Sequence, residues 1–117
     1  MDERPALARR GEALAAELYE SAGFTILDRN WRCREGELDI VAARCDLVVF
    51  CEVKTRRSAA YGLPSEAVGA RKQNRLRRLA ARWLAEARPG AVEVRFDVVS
   101  VIEDSAGTEL TLIPDAF

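Results

Sequence analysis

The sequence predicts one α/β or α+β domain, a central mixed β-sheet flanked by few helices in the order α-β-β-β-α-β-β. Three observations predict it. Two stretches, 6–22 and 71–87, repeat apolar residues at helical spacing. Five others are short, apolar and rich in β-branched residues. The chain has 117 residues, enough for a single core and too few for two, with no internal repeat, low-complexity tract or linker.

The first helix is expected over 6–22. Its apolar stripe is Leu7, Leu14, Ala15, Leu18 and Ala22, and Gly23 serves as a left-handed cap. Phe24 to Leu27 begins a strand, 30–34 continues extended, and Glu35-Gly36 turns the chain. Residues 38–43 and 47–55 read as a central antiparallel pair joined by a tight turn at Arg44-Cys45-Asp46. They show almost no polar alternation, which predicts burial on both faces. A loop over 57–63 follows, carrying Tyr61 and Gly62 before Pro64, with Ser65 as an early helix start. The second helix is firm from Arg71 to Ala87 and is closed by Pro89-Gly90. Its core face is Leu76, Leu79, Ala80, Trp83 and Ala87; Trp31 is assigned to the core as well. A fourth strand at 93–101, a turn at 104–107 and a last strand at 109–113 complete the chain.

Composition narrows the chemistry. Histidine is absent, which excludes Ser-His, Cys-His and His-metal mechanisms and leaves carboxylates, Lys, Arg or Tyr for any catalysis. Cys33, Cys45 and Cys51 make no CxxC pattern, so free thiols in a reducing compartment are expected and a structural zinc is not. No apolar run approaches ~20 residues, so no membrane partner is expected. The charged start Met1-Asp2-Glu3-Arg4-Pro5 lacks the apolar core of a secretory signal, and the expected location is the cytoplasm.

A net charge of −1 hides an asymmetry. Residues 54–88 carry ten bases against two acids, a net +8, and the remainder carries −9. A segregated basic stretch suits a polyanion, and it equally suits a solvated, salt-bridged helix face. Along the second helix, Arg71, Arg75, Arg78 and Arg82 form a ridge about 140° from the core face on ideal geometry. Such a ridge can follow a phosphate backbone, with Arg56 and Arg57 in the preceding loop. Lys72 falls in line with Leu79 and Trp83; it either leans inward to strengthen a phosphate site or snorkels to solvent.

The segments Glu37-Leu38-Asp39-Ile40-Val41 and Phe50-Cys51-Glu52-Val53-Lys54 carry the sharpest signal. Glu52 and Lys54 leave one face of one strand, and the tight turn brings Asp39 alongside. Two carboxylates and an ammonium on a sheet suit a hard divalent cation beside a phosphate: Mg²⁺, with Mn²⁺ as substitute. Asp39 and Glu52 would supply ligand oxygens, with the Val53 carbonyl as a further candidate. Lys54, one of two lysines among eighteen basic residues, would orient water or stabilise charge on phosphorus. Either acid alone would read as an edge residue or an ion-pair partner. Glu12 lies at the border of the first helix's apolar stripe, within reach of the metal or simply a surface charge. Asp97 reads as a supporting acid or as the partner of an Arg.

Gly11-Glu12, Arg29-Asn30-Trp31-Arg32, Gly36-Glu37-Leu38-Asp39, Phe50-Cys51-Glu52-Val53-Lys54-Thr55-Arg56 and Arg95-Phe96-Asp97 resemble the YraN-like family of bacterial proteins, over about residues 10–101. That family is similar to archaeal Holliday-junction resolvases, and both resemble the restriction-endonuclease-like PD-(D/E)xK superfamily. The resemblance implies a restriction-endonuclease-like core with Glu12, Asp39, Glu52 and Lys54 around Mg²⁺. The Pro of the motif name is replaced by Leu38. Resolvase members act as dimers on branched DNA, so a homodimer and a protein partner join nucleic acid among the expected partners. The favoured expectation is a Mg²⁺-dependent endonuclease acting on DNA, with branched DNA as one substrate. The alternatives are a binding or scaffold module on a nuclease fold, and a small protein-interaction domain whose Arg helix is merely solvated.

Overall fold

The computed structural model describes residues 4–57 and 68–117. Its elements are α1 (Ala6–Ser21), β1 (Thr25–Cys33), β2 (Gly36–Arg44), β3 (Leu47–Arg56), α2 (Ala70–Ala87), β4 (Glu93–Asp104) and β5 (Gly107–Ile113). They form an α/β domain on one five-stranded mixed sheet in the order β1-β2-β3-β4-β5. The expected loop residues Tyr61, Gly62 and Pro64, and the early helix start at Ser65, lie outside the described residues.

Connection length sets the pairing. Cys45 and Asp46 alone separate the paired Arg44 and Leu47, and Cys45 takes a φ of 55°, so β2 and β3 run antiparallel. Between β3 and β4 lies α2, a connection long enough for a crossover, and these two strands are parallel from Leu47↔Glu93 to Arg56↔Ile102. The remaining neighbours are antiparallel.

Alternate residues of the sheet enter two cores. Ile40, Ala42, Val49, Cys51, Val99 and Val101 pack with Ala15, Ala16 and Tyr19 of α1. Val41, Val48, Phe50 and Val98 pack with Leu76, Leu79, Ala80 and Trp83 of α2. Both faces of β2 and β3 are therefore covered, which accounts for their nearly unbroken apolar sequence. Below the first core, Asp97 is fully buried. It accepts hydrogen bonds from Tyr19 Oη (2.7 Å), from Arg95 Nε and Nη2 (2.8 and 2.9 Å) and from the Asp115 amide (3.0 Å). Of its two expected roles, Asp97 fills that of an arginine's partner.

The extended pieces 24–27 and 30–34 form one strand, as expected, with a bulge between Ile26 and Asp28. Three expectations need correction. The buried face of α1 is Gly11, Glu12, Ala15, Ala16 and Tyr19; Leu7, Leu14 and Leu18 are half-buried at its flanks and Ala22 is exposed. A helix lying on a sheet approaches most closely through its small residues, so the leucines spread to either side. Ala87, in the last turn of α2, is exposed. Trp31 is only half-buried, packed against the rim of the α2-side core. No described helix is long and apolar enough to cross a membrane.

Candidate metal centre and its cationic flank

The site begins where the sheet loses its regularity. The β1–β2 ladder holds Arg29↔Ile40 and Trp31↔Leu38 but skips Asn30 and Asp39, and Asn30 has a φ of 54°. On the other side the β2–β3 ladder ends at Ile40↔Cys51. Beyond it the Val53 amide donates to Asp39 Oδ2 at 2.9 Å. A side-chain carboxylate thus takes the place of a strand carbonyl at the point where β2 and β3 part, and this fixes Asp39 in the fork.

Glu12 reaches the same place from α1. A Cβ on Gly11 would stand 2.2 Å from Thr55 Oγ1, so only glycine lets the helix lie this close over β3. Glu12 is 6% exposed. Carboxylate oxygens of Glu12, Glu37 and Asp39 lie within 4.8 Å of one another. Glu12 Oε2 is sealed from solvent, and the Arg4 guanidinium lies against it as an ion pair. Arg4 also donates to Asn30 Oδ1 at 2.6 Å, and Glu37 Oε2 accepts from Arg32 Nε at 2.7 Å. Burial first, and then the Glu52 charge, push the Asp39 carboxyl up to about 7. Three carboxylates converge, of the oxygen chemistry that hard divalent cations take, and the Arg4 and Arg32 guanidiniums pair with two of them.

Glu52 and Lys54 follow on β3, opposite Val98 and Ser100 of β4. Glu52 is buried, and its Oε1 meets Lys72 Nζ at 2.7 Å. It is near enough to Asp39 to raise that group's pKa, yet it is not among the three acids that converge. Lys54 is held below its ordinary pKa by burial and then by repulsion from Lys72. Lys72, in the first turn of α2, therefore leans inward, as one of its two expectations had it, and it does so toward a carboxylate. Asp39, Glu52, Lys72 and Lys54 form a run of two acids and two ammoniums.

The arginine ridge of α2 is exposed at Arg71, Arg75, Arg78 and Arg82. Arg78 approaches Glu35 at 3.6 Å and Arg82 approaches Glu86 at 3.5 Å. Arg75 passes beside Gly36, which sets the ridge along the β1–β2 turn. Arg56 ends β3, and Arg57 is exposed just beyond it.

A family model described as Uncharacterised protein family UPF0102 matches residues 11–101. The chain belongs to this family. Relatives bear the same family name. The UPF0102 protein of Frankia casuarinae is 54% identical over 107 residues, covering 92% of this chain and 91% of the relative. That of Arthrobacter sp. is 55% identical over 101 residues, 86% of each chain, and that of Streptomyces griseus 51% over 112, covering 95% and 94%. The resemblance to the YraN-like family agrees with this membership. The UPF0102 match contains Glu12, Glu37, Asp39, Glu52, Lys54 and Lys72, and it leaves out Arg4. Glu37 stands within one of the motif blocks, where no role is expected of it. Its spacing of two from Asp39 on one strand was the available signal. Nothing in the sequence marked Arg4, which reaches the site only through the path of the chain before α1.

Proposed function

We propose that the protein is a Mg²⁺-dependent nuclease hydrolysing phosphodiesters of DNA, with branched DNA among its substrates. The observation that carries this reading is the convergence of Glu12, Glu37 and Asp39 at the strand fork, beside Glu52 and two lysine ammoniums. Asp39, Glu12 and Glu37 would hold the metal, with Glu52 completing the set. Bound there, Mg²⁺ supplies Lewis-acid stabilisation of charge at phosphorus. Lys54 positions the attacking water and offsets charge that develops in the transition state. Arg71, Arg75, Arg78 and Arg82, with Arg56 and Arg57, hold the backbone on either side, and Lys72 adds a charge close to the reacting phosphate.

The test is cleavage of labelled single-stranded, duplex and four-way-junction DNA with Mg²⁺, Mn²⁺ or EDTA. Cutting should require metal and fall by at least about 100-fold in Glu52→Ala and Lys54→Ala. Unchanged metal-dependent cleavage in either variant would remove that residue from the mechanism. One observation favours a second reading: Glu52 is paired with Lys72 and is not among the three acids that converge. In that reading the fold binds nucleic acid without cutting it, and affinity falls with salt while no strand scission follows metal.

A further inference from the structure

We propose that Glu52 and Lys72 form an exchangeable ion pair that couples the two ions of the site. Glu52 releases Lys72 to join the acidic cluster around a divalent cation, and the freed ammonium joins Lys54 on the substrate phosphate. The proposal rests on the reading above that the site takes a divalent cation and a nucleic-acid phosphate. It adds that neither binds independently of the other.

The argument is one of charge order. Glu52 lies between Asp39, which it repels, and Lys72, which it binds at 2.7 Å. Lys72 in turn lies between Glu52 and Lys54, which it repels. The Glu52–Lys72 contact is the direct bridge between the two like-charged pairs, and Glu52 also attracts Lys54 while Lys72 attracts Asp39 across it. A cation at the acids relieves the Asp39–Glu52 repulsion and competes with Lys72 for Glu52. A phosphate at the ammoniums relieves the Lys54–Lys72 repulsion and competes with Glu52 for Lys72. Each ion weakens the bridge that resists the other, so their binding is cooperative and, by linkage, reciprocal. The two partners differ in freedom to move. Glu52 is fixed in a strand with 9% of its side chain exposed, whereas Lys72 stands at the end of a flexible stem with 27% exposed. A compact ammonium with rotatable donors can leave a carboxylate for a phosphate approaching from solvent without moving the helix.

The experiment measures two affinities in the full chain: Mn²⁺ by calorimetry without DNA, and labelled four-way-junction DNA by anisotropy in Ca²⁺ or in EDTA. The variants are wild type, Lys72→Met and Arg75→Met, with Lys72→Gln in reserve should Lys72→Met not fold. In wild type the divalent cation should raise DNA affinity by about tenfold. Lys72→Met should bind Mn²⁺ severalfold more tightly, and the gain in DNA affinity on adding Ca²⁺ should shrink to less than about twofold. Arg75→Met, one turn along the helix, should lower DNA affinity by the same factor in Ca²⁺ and in EDTA, which separates coupling from simple loss of charge. An undiminished metal-dependent gain in Lys72→Met, or Mn²⁺ binding no tighter than wild type, would overturn the exchange while leaving the metal site standing. A wild-type protein that takes up no Mn²⁺, or whose uptake is untouched by Asp39→Asn, would remove the metal site itself and the exchange with it.

Discussion

Gly11→Ala isolates the contact that sets α1 against the sheet. The new Cβ would fall 2.2 Å from Thr55 Oγ1, 3.0 Å from Cγ2 and 3.1 Å from Cβ. Normal separations are well over 3 Å, so the helix must lift by about 1 Å or a β-branched side chain must leave its well in the strand. Overpacking of this kind costs about 1–3 kcal/mol. Alanine in a helix interior returns about 0.5–1 kcal/mol relative to glycine, so the net loss should be about 1–2 kcal/mol. Thr55→Ala removes the two nearest atoms and leaves only the 3.1 Å contact. Gly11→Ala should therefore cost far less in a Thr55→Ala background, and a double-mutant cycle by urea denaturation should give a coupling of about 1 kcal/mol or more. Calorimetry on the same proteins should show weaker Mn²⁺ binding in Gly11→Ala, because lifting α1 carries Glu12 away from Asp39. The reasoning fails if Gly11→Ala is as stable as wild type, or if the two substitutions add within about 0.3 kcal/mol.

The remaining predictions concern the carboxylates of Asp39 and Asp97. Asp39 titrates at about 7 in the fold against an ordinary 3.8, so the folded protein holds this proton more tightly than the unfolded chain. Its contribution is intact below pH about 4 and is lost as pH rises through about 7. In EDTA, Asp39→Asn should be more stable than wild type by about 1–2 kcal/mol at pH 8 and no more stable near pH 3.5, by urea denaturation at both; equal differences at the two pH values would refute the burial argument. Asp97→Ala strips the partner from Tyr19 Oη, the Arg95 guanidinium and the Asp115 amide, and should cost about 3 kcal/mol. Tyr19→Phe removes one bond and should cost about 1 kcal/mol; an Asp97→Ala protein within 1 kcal/mol of wild type would show that the network does not hold α1 to β4.

The sequence determined what depends on neighbours along the chain. Periodicity placed both helices and all five strands because 3.6-residue and two-residue repeats are local properties. The Cys45-Asp46 turn dictated that β2 and β3 be antiparallel, and the unbroken apolar character of β2 and β3 required cover on both faces. Glu52 and Lys54 were legible for the same reason, two apart on one strand. What the tertiary structure decided is which surface each element turns inward and which charges then meet. Glu12 read as a border residue because the leucines of α1 suggested a different face, and the close approach at Gly11 carried it inward. Glu37 became a partner of Asp39 only through the irregularity at Asn30 and the end of the β2–β3 ladder at Ile40. Lys72 met Glu52 across a separation of twenty residues that no local repeat encodes. Charges interact through space while a sequence records only order, so the carboxylates and ammoniums were visible as residue types and their grouping appeared only when the sheet had assembled.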